Sequence, residues 1–277
     1  SAGPPLVFDR AAILRHRKRT ERIAGDAFLL EEAAGGLAER LAAVNRRFEC
    51  GLDIEGRVKL GAAAAANWTS AALAEYDALQ VEPESFDLAV SALNLHSVND
   101  LPGVLSQIRR ALKPDGLFLA ALLGGDTLFE LRDALAAGEV ETTGGISPRV
   151  APFADVRDLG GLLQRAGFAL PVADVERTTA LYADFASLVR DLRLHGEANA
   201  LVHRSRKPLS RAALAATIAH YQKHHAAPDG RVRATFDIVY LTGWAPHESQ
   251  QKALKPGSAT TRLADALGTA EHKLRRD

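Results

Sequence analysis

Methionine is absent from the 277 residues, cysteine occurs once and tryptophan twice. A single thiol, Cys50, excludes an internal disulfide and any cysteine-rich metal centre. A reducing compartment follows as the expectation. Lys+Arg and Asp+Glu each number 34, so the formal net charge is zero. A general nucleic-acid binder carries a basic excess, and no nucleic-acid partner is expected here. No apolar run approaches the ~18–20 residues that span a bilayer. The longest, residues 117–123, has the length of a strand. Without methionine, Ser1 is not a native start, and a trimmed or tagged chain is expected. What is present is ordinary globular material, with 47% hydrophobic and 25% charged residues. That suffices for one large domain or two small ones.

Residues 9–22, DRAAILRHRKRTER, carry five arginines and one lysine. They read as a solvated helix with Ala11, Ile13 and Leu14 on its buried side. A phosphate- or membrane-seeking helix, or the end of a presequence, is the alternative. Phe28, Leu29, Leu30, Leu37 and Leu41 recur at helical spacing. Residues 9–44 therefore predict two helices, with a break at Gly35-Gly36.

Beyond Asn45 the pattern alternates. Residues 48–54 predict a strand, and 86–93 a more strongly apolar one, as buried parallel strands are. Residues 99–112 follow as a helix with Asn99 or Asp100 as N-cap. Lys113-Pro-Asp-Gly116 is a turn, and 117–123 the next buried strand. Asp126 is placed to cap a helix over 127–137. Residues 153–166 predict a further helix, 172–181 a strand, 185–194 and 211–224 helices, and 232–241 a long strand. The last two strands, around a helical insertion, suit an antiparallel closing pair. Alternating strands and helices predict an open α/β sheet, with ligands beyond the carboxyl ends of its strands. The expected division is 1–44 helical, 45–181 core, 182–231 insertion, and 232–277 closing strand with a C-terminal arm.

Certain segments carry a resemblance. They are Ser91-Ala-Leu-Asn-Leu-His-Ser-Val-Asn-Asp-Leu-Pro102 and Leu112-Lys-Pro-Asp-Gly116. Together they resemble the strand-four and strand-five turns of class I S-adenosylmethionine-dependent methyltransferases of the biotin-synthesis and ubiquinone type. Gly124-Gly-Asp-Thr-Leu-Phe-Glu-Leu-Arg132, Ser147-Pro-Arg-Val-Ala-Pro-Phe-Ala-Asp-Val-Arg-Asp-Leu-Gly160 and Gly243-Trp-Ala-Pro-His-Glu-Ser-Gln250 with Gly257-Ser258-Ala259 narrow the match. They resemble the mitochondrial complex I assembly factor 5 group and its alphaproteobacterial relatives, over residues 8–266. The resemblance implies a Rossmann-like methyltransferase sheet with helices on both faces. It also implies S-adenosylmethionine as cofactor where the pocket survives. A subunit or assembly factor of respiratory complex I is the implied protein partner. The implied activity is methylation or arginine hydroxylation of a protein side chain. The implied compartment is the bacterial cytoplasm, or the mitochondrial matrix in a eukaryote.

The chain departs from that pattern around strands one to three. Class I enzymes place about Leu-Asp-Leu-Gly-x-Gly-x-Gly at the end of strand one, where glycines admit the cofactor. Here Leu52 and Asp53 remain, but Glu55, Arg57 and Lys59 stand where the glycines belong, and only Gly56 is near. Asn67 takes the place of the acidic residue after strand two, which meets the ribose hydroxyls. Glu75, or Asp77 in a shifted register, is the counterpart of an adenine contact. Fourteen residues from Asp53 to Asn67 are too few for a full βαβ unit, so the helix between must be lost or shrunk. The 19 residues from Asn67 to Phe86 lack room for another helix and a strand. A hairpin of 48–54 with 57–63 about Glu55-Gly56 is an alternative. The sheet is thus expected to be reduced around strands 1–3. The alternative function is a binding or assembly protein that has lost catalysis.

The candidate cofactor-side residues are Asp53, Gly56, Asn67, Glu75, Asn94 and His96. The candidate substrate or partner contacts are Asp126, Glu197, Asn199, Trp244, His247 and Glu248. Each has a blander reading: His96 as a turn histidine, Asp126 as an N-cap, and Trp244, His247 and Glu248 as a hold on the C-terminal arm. No catalytic residue is assigned. No metal site is expected, since His220, His224 and His225 lack a third ligand and the HExxH carboxylate.

Overall fold

The computed structural model describes residues 6–58, 60–61, 64–250 and 268. One compact unit spans Ser1–Pro246, and His247–Asp277 is a second unit. The Gly257-Ser258-Ala259 motif, the expected tail helix and Lys59 lie outside the described residues.

Six strands form one sheet: β1 (Phe48–Ile54), β2 (Ala65–Ala71), β3 (Phe86–Ala92), β4 (Leu112–Gly124), β5 (Ala169–Tyr182) and β6 (Val232–Trp244). Their order is β2-β1-β3-β4-β6-β5. The first four are parallel, and β6 runs antiparallel to both β4 and β5. The antiparallel closing pair is thus as expected. The hairpin alternative is not: β1 is flanked by β2 and β3, both parallel to it. Only residues 55–64 connect β1 to β2, and no helix lies there among the described residues. Between β2 and β3 there is a 3-10 turn, Glu75–Asp77, and an isolated Leu73–Leu79 bridge, with no further strand. Among the described residues, the shortage of length is therefore met without a helix between β1 and β2 and without a strand between β2 and β3.

Side chains alternate across the sheet and divide the core in two. Leu88, Val90, Leu117, Leu119, Phe236 and Ile238 face one layer, to which α2 (Phe28–Ala42), α4 (Phe129–Thr143), α6 (Phe185–Leu194) and α7 (Arg211–His225) contribute. Leu52, Ile54, Ala89, Phe118 and Leu122 face the other, with α3 (Leu101–Ala111) and α5 (Val156–Arg165). Period-two alternation with both faces covered is what buried α/β strands require. In α3, Val104, Leu105, Ile108 and Ala111 form one buried stripe at helical spacing. Asp100 caps the helix by accepting from the Gly103 N–H at 2.9 Å. At its start, β3 is tied to β1 by Asp87, which accepts from the N–H groups of Glu49 and Cys50, both at 2.9 Å.

Three local expectations change. Helix α2 continues through Gly35-Gly36. A Cβ on Gly36 would overlap the Tyr240 hydroxyl, so this glycine serves close packing rather than a break. Asp126 caps no helix: α4 begins at Phe129, after Leu128 in a left-handed conformation (φ 56°). On α1 (Arg10–Thr20) the buried residues are Ala12 and Ile13, while Leu14 is exposed. Its arginines are not all solvated: the Arg10 and Arg17 side chains are each 18% exposed.

Candidate functional site

The strand order reverses between β1 and β3, with β2 on one side of β1 and β3–β4 on the other. In open α/β sheets ligands enter at such a switch point, beyond the carboxyl ends. Here that place holds charged side chains of the chain itself. The turn after β1 is left-handed at Glu55 (φ 73°) and Gly56 (φ 63°). A Cβ on Gly56 would come within 2.7 Å of Ser70 Oγ, at a backbone conformation that side chains rarely adopt. The Glu55 carboxylate, 6% exposed, lies between two guanidinium groups of α1. Arg10 donates to Oε1, and Arg17 donates to Oε2 at 3.0 Å. The Leu73 N–H, just beyond β2, also donates to Oε1 at 3.1 Å, while Arg10 donates to the Leu73 carbonyl at 2.9 Å.

From the β3 side, Asn94 accepts from Arg17 through Oδ1. Arg57 crosses the same space, donating to the carbonyls of Leu93 and His195, the latter at 2.9 Å. It lies 3.8 Å from Glu197. His96 Nε2 lies 3.1 Å from the other Glu197 oxygen. Burial alone would raise the Glu197 pKa, but His96, Arg57 and Arg17 outweigh it and bring it down to about 2. Arg17 is drawn down to about 10 by burial and by its neighbour Arg57, against the pull of Glu55 and Glu197.

Asp53, one residue before the end of β1, has its carboxyl buried; among the described residues Oδ1 is unpartnered, and the Gly56 and Val58 N–H groups bond to the carboxylate. Desolvation pushes its pKa up to about 6 despite those bonds. Beside this network is a cavity of about 380 Å³. Its wall is largely apolar, including Leu123, Phe153, Phe185 and Leu192, and His96, Glu197 and Asn199 also line it.

The predicted residues are thus divided. Asp53, Gly56, Asn94, His96 and Glu197 converge on the switch point, and Asn199 lines the adjoining cavity while donating to the Pro148 carbonyl at 2.8 Å. Asn67 does not reach it: it pairs with Cys50 in mid-strand, and Ser70 and Ala71 occupy the end of β2. Glu75 lies in the 3-10 turn, with its side chain outside the described set. The neighbouring Asp77 accepts from the N–H groups of Asn99 (2.6 Å) and Asp100 (3.1 Å), holding the entry to α3. Trp244 pairs with Leu117, at the opposite end of β4 from Gly124. It cannot line an opening at the carboxyl ends. Asp126 lies on the surface, 2.8 Å from Arg177. In the second unit, His247 Nδ1 is 2.7 Å from Ser249 Oγ, next to Glu248. Sequence reasoning missed Arg10 and Arg17. Their spacing with Ile13, i, i+3 and i+7, is the signal that they share the buried face.

The family model for a methyltransferase domain matches residues 33–120. A solved methyltransferase-class protein from Bacillus halodurans superposes with a TM-score of 0.51 at 15% identity, covering 77% of this chain and 99% of its own. The arginine-hydroxylase NDUFAF5, mitochondrial, of Dictyostelium discoideum is 44% identical over 69% of this chain and 44% of its own length. The human protein of the same name is 43% identical over 71% of this chain and 57% of its own. Residues 33–120 thus match a methyltransferase domain, and the sheet has the class I methyltransferase fold. The chain is a homologue of the NDUFAF5 proteins. It spans between 44% and 60% of the length of the curated NDUFAF5 relatives it matches. No helix among the described residues is long and apolar enough to cross a membrane.

Proposed function

We propose that this chain is a protein-binding assembly factor that does not take S-adenosylmethionine at the end of β1. The observation that carries this reading is Glu55 bound between Arg10 and Arg17. A cofactor-binding turn needs backbone that a ligand can approach, which glycines provide. Here Glu55 and Arg57 fill the approach, and Arg17 bridges from β1 to β3. Admitting a nucleoside would separate largely buried ion pairs, at about 3–5 kcal/mol for each partner stranded. The donor set also fits poorly, since β2 ends in Ser70 and Ala71 and offers no carboxylate to ribose hydroxyls.

The cavity beside the network suits an apolar side chain of a protein partner. Resemblance to complex I assembly factors makes a subunit or assembly intermediate of that complex the expected partner. The compartment would then be the bacterial cytoplasm or the mitochondrial matrix. A second reading, modification of a partner's arginine, is favoured by the name of the relatives and by the His96–Glu197 pair in the cavity wall. The occupancy of the cavity's one carboxylate weighs against it: Glu197 is already engaged by His96 and lies 3.8 Å from Arg57.

Calorimetry with S-adenosylmethionine and with S-adenosylhomocysteine tests the proposal. No binding is expected. Saturable micromolar binding of either ligand overturns it. Addition of one oxygen to a partner arginine, detected by mass spectrometry after incubation with the purified chain, would favour the second reading.

A further inference from the structure

We propose that Asp133, His220 and His225 form a binding site for a divalent transition metal, of which zinc is the natural probe. Asp133 lies on α4, and the two histidines lie five residues apart at the end of α7. Both imidazoles aim Nε2 at the same carboxylate oxygen, His220 at 2.8 Å and His225 at 2.7 Å. The three ligand atoms lie within 4.8 Å of one another. Zinc–nitrogen bonds of about 2.0–2.1 Å in tetrahedral geometry need ligand atoms about 3.3 Å apart. An opening of roughly half an ångström at each hydrogen bond would then admit the ion.

Two histidines and one carboxylate suit zinc and its first-row neighbours rather than calcium or magnesium. The Asp133 side chain is 54% exposed, so an ion there would keep solvent-facing positions for water.

The arrangement is held by helix packing rather than by a loop. A Cβ on Gly138 of α4 would overlap the Thr217 side chain, so the absence of one lets α7 lie directly against α4. The His225 ring stands edge-on to Phe129 (5.9 Å between centroids) and to Tyr221 (5.6 Å). His220 packs on His224 at 4.3 Å. These contacts fix the rings before any ion arrives, and rigid placement is what raises metal affinity. The spacing is invisible to motif reading because the carboxylate comes from a helix 87 residues earlier than His220. The site is separate from the network at the end of β1 and does not depend on how that network is read.

The test is calorimetric titration of the untagged chain with zinc chloride. One ion per chain with micromolar affinity is expected. Asp133→Asn and His225→Ala should each weaken binding by about tenfold or more. His203→Ala, which removes an exposed imidazole remote from the ligand set, should leave the affinity unchanged. Circular dichroism of each variant establishes that it is folded. As a second readout, zinc in excess should raise the melting temperature of the parent chain, since the ion binds only the native pair of helices. It should raise that of Asp133→Asn by less at the same zinc concentration. The proposal is overturned if zinc does not bind, or if folded Asp133→Asn and His225→Ala bind it as tightly as the parent.

Discussion

The connections β1 to β2 and β3 to β4 solve the same topological problem in different ways. Each joins parallel neighbours. The second uses a capped amphipathic helix, α3, which buries Val104, Leu105, Ile108 and Ala111 against the sheet. The first has only residues 55–64 and no described helix. Its turn is held by ion pairs from α1, centred on Glu55. One connection is fixed by apolar area, which is non-directional and tolerant. The other is fixed by charge pairing, which fails sharply when one partner goes. The same sheet can thus be closed without a crossover helix, but the end of β1 then becomes part of the structural framework.

The comparison can be broken at several points. Replacing Glu55 with alanine strands Arg10 and Arg17 and should cost about 3–5 kcal/mol in denaturant unfolding. A loss below about 1 kcal/mol would show that the pairs are solvated and that the turn holds by other means. Ile108→Ala in α3 should cost about 2–4 kcal/mol through lost burial and a residual cavity. The two losses should add, because the sites share no partner; strong coupling would mean that the connections are not independent.

Asp53→Asn should instead stabilise at pH 7, by about 1–3 kcal/mol. The parent Asp53 has its folded pKa raised from 3.8 to about 6. Between these values the native state holds a proton that the unfolded state has released. Stability contributed by that proton is complete below about 4 and lost as pH rises through 6. Unfolding free energies measured from pH 4 to pH 7 should fall in the parent relative to Asp53→Asn; parallel curves would refute the assignment. The smallest effect belongs to the α3 cap. Asp100→Ala should lose about 1 kcal/mol, and no change in thermal melting would mean that Asp77 alone holds the helix start.

Much of the fold was legible. The apolar runs at residues 86–93 and 117–123 gave β3 and the second half of β4, which in fact begins at Leu112, through the expected turn at 113–116; the late antiparallel pair followed from the long insertion. The helix and strand absent among the described residues were visible as missing length. Less of the site was legible. Asp53, Asn94, His96 and Glu197 were singled out, and they converge. Asn67 failed because register decides which residue ends a strand, and β2 continues four residues beyond it, to Ala71. Trp244 failed because an antiparallel strand ends at the opposite edge of the sheet. Arg10 and Arg17 were passed over because a cluster of arginines reads as solvated, and only partners distant in sequence make their burial tolerable.

The sequence by itself determined the α/β class, the two apolar layers and the absence of a glycine-rich turn after β1. These depend on local periodicity and on residue type, which the chain carries in order. Tertiary structure alone decided what stands in the place of that turn. Glu55 meets an arginine 45 positions earlier, and Asp133 meets a histidine 92 positions later. The energy of such pairs depends on distance and burial in three dimensions, and neither is written in the spacing of the residues.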